Sequence, residues 1–146
     1  MNVSDIPQAA RSRLVTIAQD TKVLLAARLL TSGPDILVVQ DGDGVLQGVV
    51  TRTDIVRQMG ICQGGACRGT VSVIMTREVM ACHESEGLHA LALRMKAGHI
   101  KSVPVVDGVN RPTGLLTARI ILRTLLDSAE QTEAQMLGYL RGTGYQ

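Results

Sequence analysis

The amino-acid sequence predicts a mixed α/β fold built from two similar units, each with the order β-α-β-β-α. The 146 residues are 45% hydrophobic, which is enough apolar material to bury a core. The apolar pattern of the first half returns in the second half, where Gly48 and Gly114 occupy matching places 66 residues apart (114 − 48). The candidate strands are continuous apolar runs, which is typical of strands buried on both faces.

The first unit is predicted to begin with a short strand at residues 15–17. A helix follows, with Asp20 or Thr21 as its N-terminal cap. Two strands at 36–39 and 48–51 come next, joined by the turn Asp41-Gly42-Asp43-Gly44. A closing helix is predicted through Ile55, Val56 and Met59.

The second unit repeats this order. A short strand is predicted at 79–81, then a helix capped by Glu84 or Ser85, then strands at 103–106 and 114–117. A closing helix is predicted through Ile120, Ile121 and Leu125.

Four segments are expected along the chain. Residues 1–60 form an N-terminal segment with the first unit, 61–72 a linker rich in Gly and Cys, 73–126 the second unit, and 127–146 a helical tail. One unit of about 60 residues is marginal alone, so the two units are expected to pack on each other. The tail is expected to cover an edge of the core or the surface of a partner.

Composition argues against several classes of function. The chain has no Trp, no Phe and a net charge of only +2, which gives neither the aromatic platforms nor the positive field of a nucleic-acid-binding protein. No apolar run is long enough for a membrane span, and the first residues lack a signal-peptide pattern, so a cytoplasmic location is expected. No catalytic motif is visible around His83, His89 and His99, so no enzymatic activity is predicted.

The segment Gly48-Val49-Val50-Thr51-Arg52-Thr53-Asp54 is the clearest functional signal. It places two hydroxyls and a carboxylate where a strand ends and a helix begins, which is a position that favours anions and offers free N–H groups. A carboxylate there can accept hydrogen bonds from a vicinal diol such as that of a ribose. The matching segment in the second unit has Ile120 in place of the aspartate, so one polar site is intact and its copy is not.

These duplicated segments resemble a tandem cystathionine β-synthase-type (CBS) domain pair, also called a Bateman module. The resemblance covers residues 14–126 and rests on Asp20-Thr21, Glu84-Ser85, 103–107 and above all 48–54. It implies two repeats related by a pseudo-twofold axis within one chain, and a dimer of two such chains. It also implies cleft sites for adenosine derivatives, namely AMP, ADP, ATP, NAD(H) or S-adenosylmethionine.

The ribose site is predicted at Asp54, Thr51 and Thr53, and replacing Asp54 by Ala is expected to weaken ligand binding while changing stability little. The alternative is that Thr53 or Asp54 only caps the helix. The resemblance implies that the adenine lies near the first strand of a repeat, which matches Val15, Thr16 and Ile17. Candidates for phosphate are Arg52, His99 and Lys101, and the alternative for Arg52 and Lys101 is a solvated surface charge.

The second site is either empty or holds a ligand through Thr117, Arg119 and backbone groups. The alternative is that the second repeat serves only as a packing partner.

The cysteines suggest a second class of function. Cys62 and Cys67, with Cys82 and His83 further on, could ligate a metal or form a redox pair, although their spacing is not that of a zinc knuckle. The alternative is a loop containing small, semi-buried cysteines.

The sequence therefore predicts a regulatory module that senses an adenosyl ligand, forms a homodimer and passes its signal to a separate, unidentified protein effector. Ligand would act by shifting the population between two packings of the repeats. Two alternatives stay open: a cysteine-based metal or redox sensor, and a structural dimerisation module with inactive sites.

Overall fold

The structure is a computed structural model that describes residues 1–61 and 68–140. The first repeat contains β1 (Thr16–Ala18), α1 (Val23–Thr31), β2 (Ile36–Gln40), β3 (Leu46–Thr51) and α2 (Arg52–Ile61). Its three strands form one sheet in which β2 pairs in parallel with β1 and antiparallel with β3. The predicted β-α-β-β-α order is therefore confirmed in this repeat.

A one-turn helix, α3 (Val71–Ile74), leads into the second repeat. This repeat contains α4 (Leu88–Ala97), β4 (Ser102–Val106), β5 (Pro112–Thr117) and α5 (Ala118–Leu140). Strands β4 and β5 form an antiparallel two-stranded sheet.

The first strand predicted for the second repeat is reduced to one parallel bridge between Cys82 and Val105. In the first repeat, the Val38 N–H donates to the carbonyl of Val15 at 2.9 Å. The matching residue in β4 is Pro104, which has no N–H to donate. The prediction of a strand at 79–81 is thus wrong, because the proline removes one of the hydrogen bonds that would extend the pairing.

Two further details differ from the sequence prediction. Helices α1 and α4 begin after Lys22 and Gly87, and neither helix has a side-chain cap, so the capping roles given to Asp20, Thr21, Glu84 and Ser85 are wrong. Helix α5 runs without a break from the second repeat into the tail, because no strong helix breaker stands between residues 118 and 137 and the helix tolerates Gly138.

The leading segments of the two repeats are exchanged. Val3 and Ile6, from the N-terminal segment, are buried in the core of the second repeat, together with Leu88 and Leu116. Val71 and Met75, which follow the linker, are buried in the core of the first repeat. Matching antiparallel bridges fix each exchange: Asn2 with Gly87 and Lys22 with Thr70, and Ser12 with Leu115 and Val49 with Thr76. This correspondence is the pseudo-twofold relation that the resemblance implied.

Strands β2 to β5 are buried on both faces along their central residues, as predicted, whereas Thr16 and Ala18 of β1 are exposed. In β2, Leu37 and Val39 face the helices of their own repeat, whereas Ile36 and Val38 pack with Val49 and Leu115 in a third cluster that joins the two repeats. The β-sheets thus lie between the two sets of helices, and the ends of the strands open onto clefts at the junction of the repeats.

One glycine is required for the approach of the post-linker segment to β3. A Cβ atom on Gly48 would lie 2.7 Å from the carbonyl oxygen of Thr76 and 2.9 Å from the Sδ atom of Met75. At the matching Gly114, the nearest atom would be 3.6 Å away, which is ordinary van der Waals contact. Gly48 therefore allows residues 75–76 to lie directly on the strand that leads to Thr51.

Candidate functional site

The start of α2 is held by a capping box formed by Thr51 and Asp54. The Thr51 N–H and hydroxyl donate to Asp54 Oδ2 at 2.9 Å and 3.2 Å, and the Asp54 N–H donates to Thr51 Oγ1 at 3.4 Å. This reciprocal pair satisfies two N–H groups that a helix start would otherwise leave without partners. The capping alternative is therefore observed, with Thr51 rather than Thr53 as the N-cap residue.

The other oxygen of Asp54 has longer contacts. Asp54 Oδ1 accepts from the hydroxyl of Thr76 at 3.3 Å and from Nη1 of Arg57 at 3.4 Å, and the Asp54 residue is only 5% exposed. Its carboxylate is thus buried and fully hydrogen-bonded. Its role toward a ribose stays a prediction.

The corresponding helix start in the second repeat keeps half of this arrangement. The Ile120 N–H donates to Thr117 Oγ1 at 3.2 Å, but the isoleucine side chain cannot return a bond to the Thr117 N–H. Thr117 lines a cleft of about 320 Å³ together with Ser12, Arg13 and Asp35. Arg119 is exposed and does not line this cleft, so the structure does not bring the two predicted residues of the second site together.

A larger cleft, of about 590 Å³, opens at the start of α2. Four segments converge on it: the start of β2, the junction of β3 and α2, the segment after α3, and the segment that leads from α4 into β4. The side chains that line it are those of Asp35, Ile36, Val49, Thr51, Arg52, Thr53, Thr76, Glu78, Val79, Met80, His99, Ile100, Lys101, Ser102 and Pro104. Five of the predicted site residues therefore lie together here: Thr51, Arg52, Thr53, His99 and Lys101.

Arg52 is held by partners within its own repeat. Its Nη1 donates to Asp35 Oδ1 at 2.6 Å, and its Nη2 donates to the carbonyls of Leu30 at 2.9 Å and Pro34 at 3.3 Å. The guanidinium thus ties the end of α1 and the approach to β2 to the start of α2.

His99 and Lys101 reach the cleft from a sharp turn after α4. His99 has a backbone φ of +53°, in the left-handed region, and its counterpart Gly33 also has a positive φ. Both side chains are exposed, and Lys101 makes no ion pair with any other described residue.

Val15, Thr16 and Ile17 do not line the larger cleft. Ile17 is buried in the core of the first repeat, against which Val15 packs. Val79 and Met80, from the corresponding segment of the second repeat, line the cleft instead. Sequence reasoning missed this pairing, and the signal that could have found it is the implied pseudo-twofold axis, which sets the first segment of one repeat against the helix start of the other.

The proposed cysteine site is only partly described. Cys62 and Cys67 lie outside the described residues. Cys82 is fully buried in the core of the second repeat, where burial raises the pKa of its thiol to about 12, with the charge of Glu86 adding to the shift. Its neighbour His83 is exposed. Within residues 1–61 and 68–140, no three His, Cys, Asp or Glu side chains are grouped so that they could hold a metal ion.

The family model for the CBS domain matches residues 3–60 and 71–127. Among curated proteins, the L-aspartate semialdehyde sulfurtransferase of Methanocaldococcus jannaschii is 31% identical over 110 residues, which are 75% of this chain and 21% of that protein. The homoserine O-acetyltransferase of Methanocorpusculum labreanum is 33% identical over 106 residues, which are 70% of this chain and 20% of that protein. This chain thus spans about a fifth of the length of these relatives.

Two solved structures share the fold closely. The CBS domain pair of protein MJ0100, in complex with 5′-methylthioadenosine and S-adenosyl-L-methionine, superposes with a TM-score of 0.71 at 29% identity, covering 88% of this chain and 98% of that one. The CBS-domain containing protein ATU1752 from Agrobacterium tumefaciens has a TM-score of 0.70 at 26% identity, covering 85% and 98%. No helix in the described part of this chain is long and apolar enough to cross a membrane.

Proposed function

Because the chain belongs to the CBS domain family, we propose that it is a regulatory module that binds an adenosyl ligand in the larger cleft between its repeats. The candidate ligands are AMP, ADP, ATP, NAD(H) and S-adenosylmethionine. The observation that carries this proposal is the cleft itself. Its volume of about 590 Å³ is within the usual range for small-molecule sites, and apolar and hydrogen-bonding side chains line it together at a helix start.

Different residues of the cleft are proposed to bind different parts of the ligand. Thr51, Thr53 and Asp54 are proposed to hold the ribose, and Val79 and Met80 offer an apolar surface for the base. With neither Trp nor Phe in the chain, backbone groups would read the edge of the adenine. Lys101 and His99 would contact the substituent at the 5′ position of the ribose.

Asp54 can accept a hydrogen bond from a ribose only if one of its present hydrogen-bond donors gives up its contact with the carboxylate. The contacts of Oδ1 with Thr76 and Arg57, at 3.3 Å and 3.4 Å, are longer than the 2.9 Å bond from the Thr51 N–H to Oδ2. We propose that a ribose hydroxyl replaces one of these longer contacts, while the Oδ2 bonds keep the start of α2 intact.

The ligand of a similar domain pair supports the proposal. The CBS domain pair of protein MJ0100 was solved with 5′-methylthioadenosine and S-adenosyl-L-methionine, and both contain an adenosyl group. The relatives named for enzymes are matched over only about a fifth of their length, so the proposed role of this chain is regulatory rather than catalytic.

One strong site per chain is proposed, because Ile120 replaces the carboxylate in the second repeat and the cleft there is smaller, at about 320 Å³. Ligand would shift the balance between two packings of the repeats, by no more than the difference in its affinity for the two packings.

A cytoplasmic homodimer that signals to a separate protein effector is proposed as the working form. Large apolar side chains are exposed on α2 and on the first turns of α5, namely Val56, Met59, Ile61, Leu122 and Leu126. Exposed apolar surface of this kind is common at protein interfaces. Light scattering coupled to size-exclusion chromatography, on the parent chain and on Leu122→Glu, tests the dimer.

Calorimetric titration of the whole chain with AMP, ATP, NADH and S-adenosylmethionine tests the proposed function. Saturable binding of one of them with one site per chain supports it, and two equivalent tight sites would contradict the role given to Ile120. A second function, a structural dimerisation module with inactive sites, is favoured by the full commitment of the Asp54 carboxylate to the helix start. That alternative holds if none of the four binds at millimolar concentration.

A further inference from the structure

The charges that line the larger cleft are balanced. The cationic side chains are Arg52 and Lys101, and the anionic ones are Asp35 and Glu78. Arg52 and Asp35 neutralise each other through the 2.6 Å contact, and the remaining donors of Arg52 that have partners are directed to backbone carbonyls. The guanidinium of Arg52 therefore does not present a free pair of N–H donors to a phosphate group.

Lys101 and Glu78 are the two remaining charges. They come from different segments, Lys101 from the turn before β4 and Glu78 from the segment after α3. Neither lies within 4 Å of an opposite charge among the described residues. The cleft thus offers one available cation and one available anion to whatever it binds.

This balance discriminates between classes of adenosyl ligand. A phosphate monoester carries roughly −1.5 to −2 charges at pH 7, and a triphosphate carries more. Besides His99 and the N–H groups at the start of α2, Lys101 is the one available cation that would offset that charge, while Glu78 would repel it. A substituent that carries both an ammonium and a carboxylate would pair with both residues.

We infer that the cleft prefers an adenosyl ligand with an α-amino acid tail over adenine nucleotides, with Glu78 binding the ammonium group and Lys101 binding the carboxylate. The inference rests on the proposed function, because it assumes that the adenosyl group occupies this cleft.

The second cleft supplies a matched control. Arg13 and Asp35 line that cleft, from the segments that correspond to those of Glu78 and Lys101. Asp35 is already paired with Arg52. Removing the charge of Arg13 changes the corresponding segment of the other repeat, and Arg13 does not line the larger cleft.

The test is calorimetric titration of the full chain and of Glu78→Gln, Lys101→Gln and Arg13→Gln with three probes. S-adenosyl-L-methionine carries the amino acid tail, 5′-methylthioadenosine lacks it, and AMP carries a phosphate instead. We expect the parent to bind S-adenosyl-L-methionine more tightly than AMP. Glu78→Gln should lower the affinity for S-adenosyl-L-methionine about fivefold, which is the upper end for an ion pair open to solvent. The same variant should bind AMP more tightly and 5′-methylthioadenosine with unchanged affinity.

Lys101→Gln should weaken both S-adenosyl-L-methionine and AMP, whereas Arg13→Gln should change none of the three affinities. Tighter binding of AMP than of S-adenosyl-L-methionine by the parent would overturn the inference. An equal loss of affinity for all three probes in Glu78→Gln would also overturn the inference, because such a loss would indicate a structural role for Glu78. If the parent binds 5′-methylthioadenosine, the proposed function holds even where one of these two results overturns the inference. If the parent binds none of the three probes, the inference fails, and the proposed function then depends on the titrations with ATP and NADH.

Discussion

Replacing Asp54 by Ala should destabilise the protein even without ligand. The sequence alone suggested that the substitution would change affinity and leave stability nearly unchanged. The structure gives a reason to expect a loss of stability instead, because the Asp54 side chain is buried and completes the capping box of α2.

The magnitude follows from the hydrogen bonds that are lost. Without the carboxylate, the Thr51 N–H loses its acceptor at 2.9 Å, and a part-buried donor without a partner costs about 1–3 kcal/mol. Substitutions of helix-capping side chains by Ala cost about 1 kcal/mol in other proteins. The contact with Arg57 involves an exposed guanidinium and adds only a few tenths of a kcal/mol. We expect the free energy of unfolding to fall by about 2 kcal/mol.

Urea denaturation in the absence of ligand measures this change. Thr53→Ala is the control, since Thr53 is on the same turn but exposed, and its variant should stay within about 0.5 kcal/mol of the parent. Asp54→Asn separates the two roles, because the amide oxygen can still accept from Thr51 while the charge that favours a ribose diol is lost. The free energy of binding of Asp54→Asn to an adenosyl ligand should be weaker than that of the parent by about 1.5–3 kcal/mol. A loss of stability below about 0.5 kcal/mol in Asp54→Ala would refute the capping argument.

Three further predictions concern the scaffold of the site. Gly48→Ala should lower the free energy of unfolding by about 1–3 kcal/mol, because its Cβ would meet backbone 2.7 Å away, whereas Gly114→Ala should be tolerated; thermal denaturation of both variants is the measurement. The Cys82 thiol, with its pKa raised to about 12, should resist labelling by a thiol reagent at pH 8 in the folded protein and react in urea, as read by peptide mass spectrometry; labelling without denaturant would contradict its burial. Arg11 donates to Glu84 at 2.6 Å and 2.9 Å and holds the pKa of that carboxyl below its ordinary value. The stability from this pair is therefore present above the ordinary glutamate pKa and lost as the pH falls below it, so Glu84→Gln should lose less stability than the parent on acidification, and parallel acid-titration curves would exclude the effect.

The duplicated fold could be predicted because its signals are local. Strands such as β2 are apolar at every position, and this pattern identifies burial on both faces without knowledge of the tertiary structure. The lost strand pairing in the second repeat could also have been predicted, since Pro104 stands where the first repeat uses the N–H of Val38.

The composition of the cleft could not be predicted from one repeat at a time. The helix start of the first repeat faces Val79 and Met80 of the second repeat, an arrangement that only the packing of the two repeats creates. The contact of Thr76 with Asp54 has the same origin, since Thr76 follows the linker and returns to lie on β3.

The second repeat has no carboxylate at the place of Asp54. Helix α5 begins at the matching place with only the bond from the Ile120 N–H to Thr117 Oγ1, and with no carboxylate to complete the box. Within the described residues it nevertheless runs for 23 residues, whereas α2 runs for 10. A carboxylate is therefore not required to start a helix after a strand in this fold. Capping explains what Asp54 does in the structure, but it does not explain why only the repeat facing the larger cleft has an acidic side chain there. Binding of a ribose in that cleft would supply the reason, and the Asp54→Asn variant, which separates capping from charge, tests it directly.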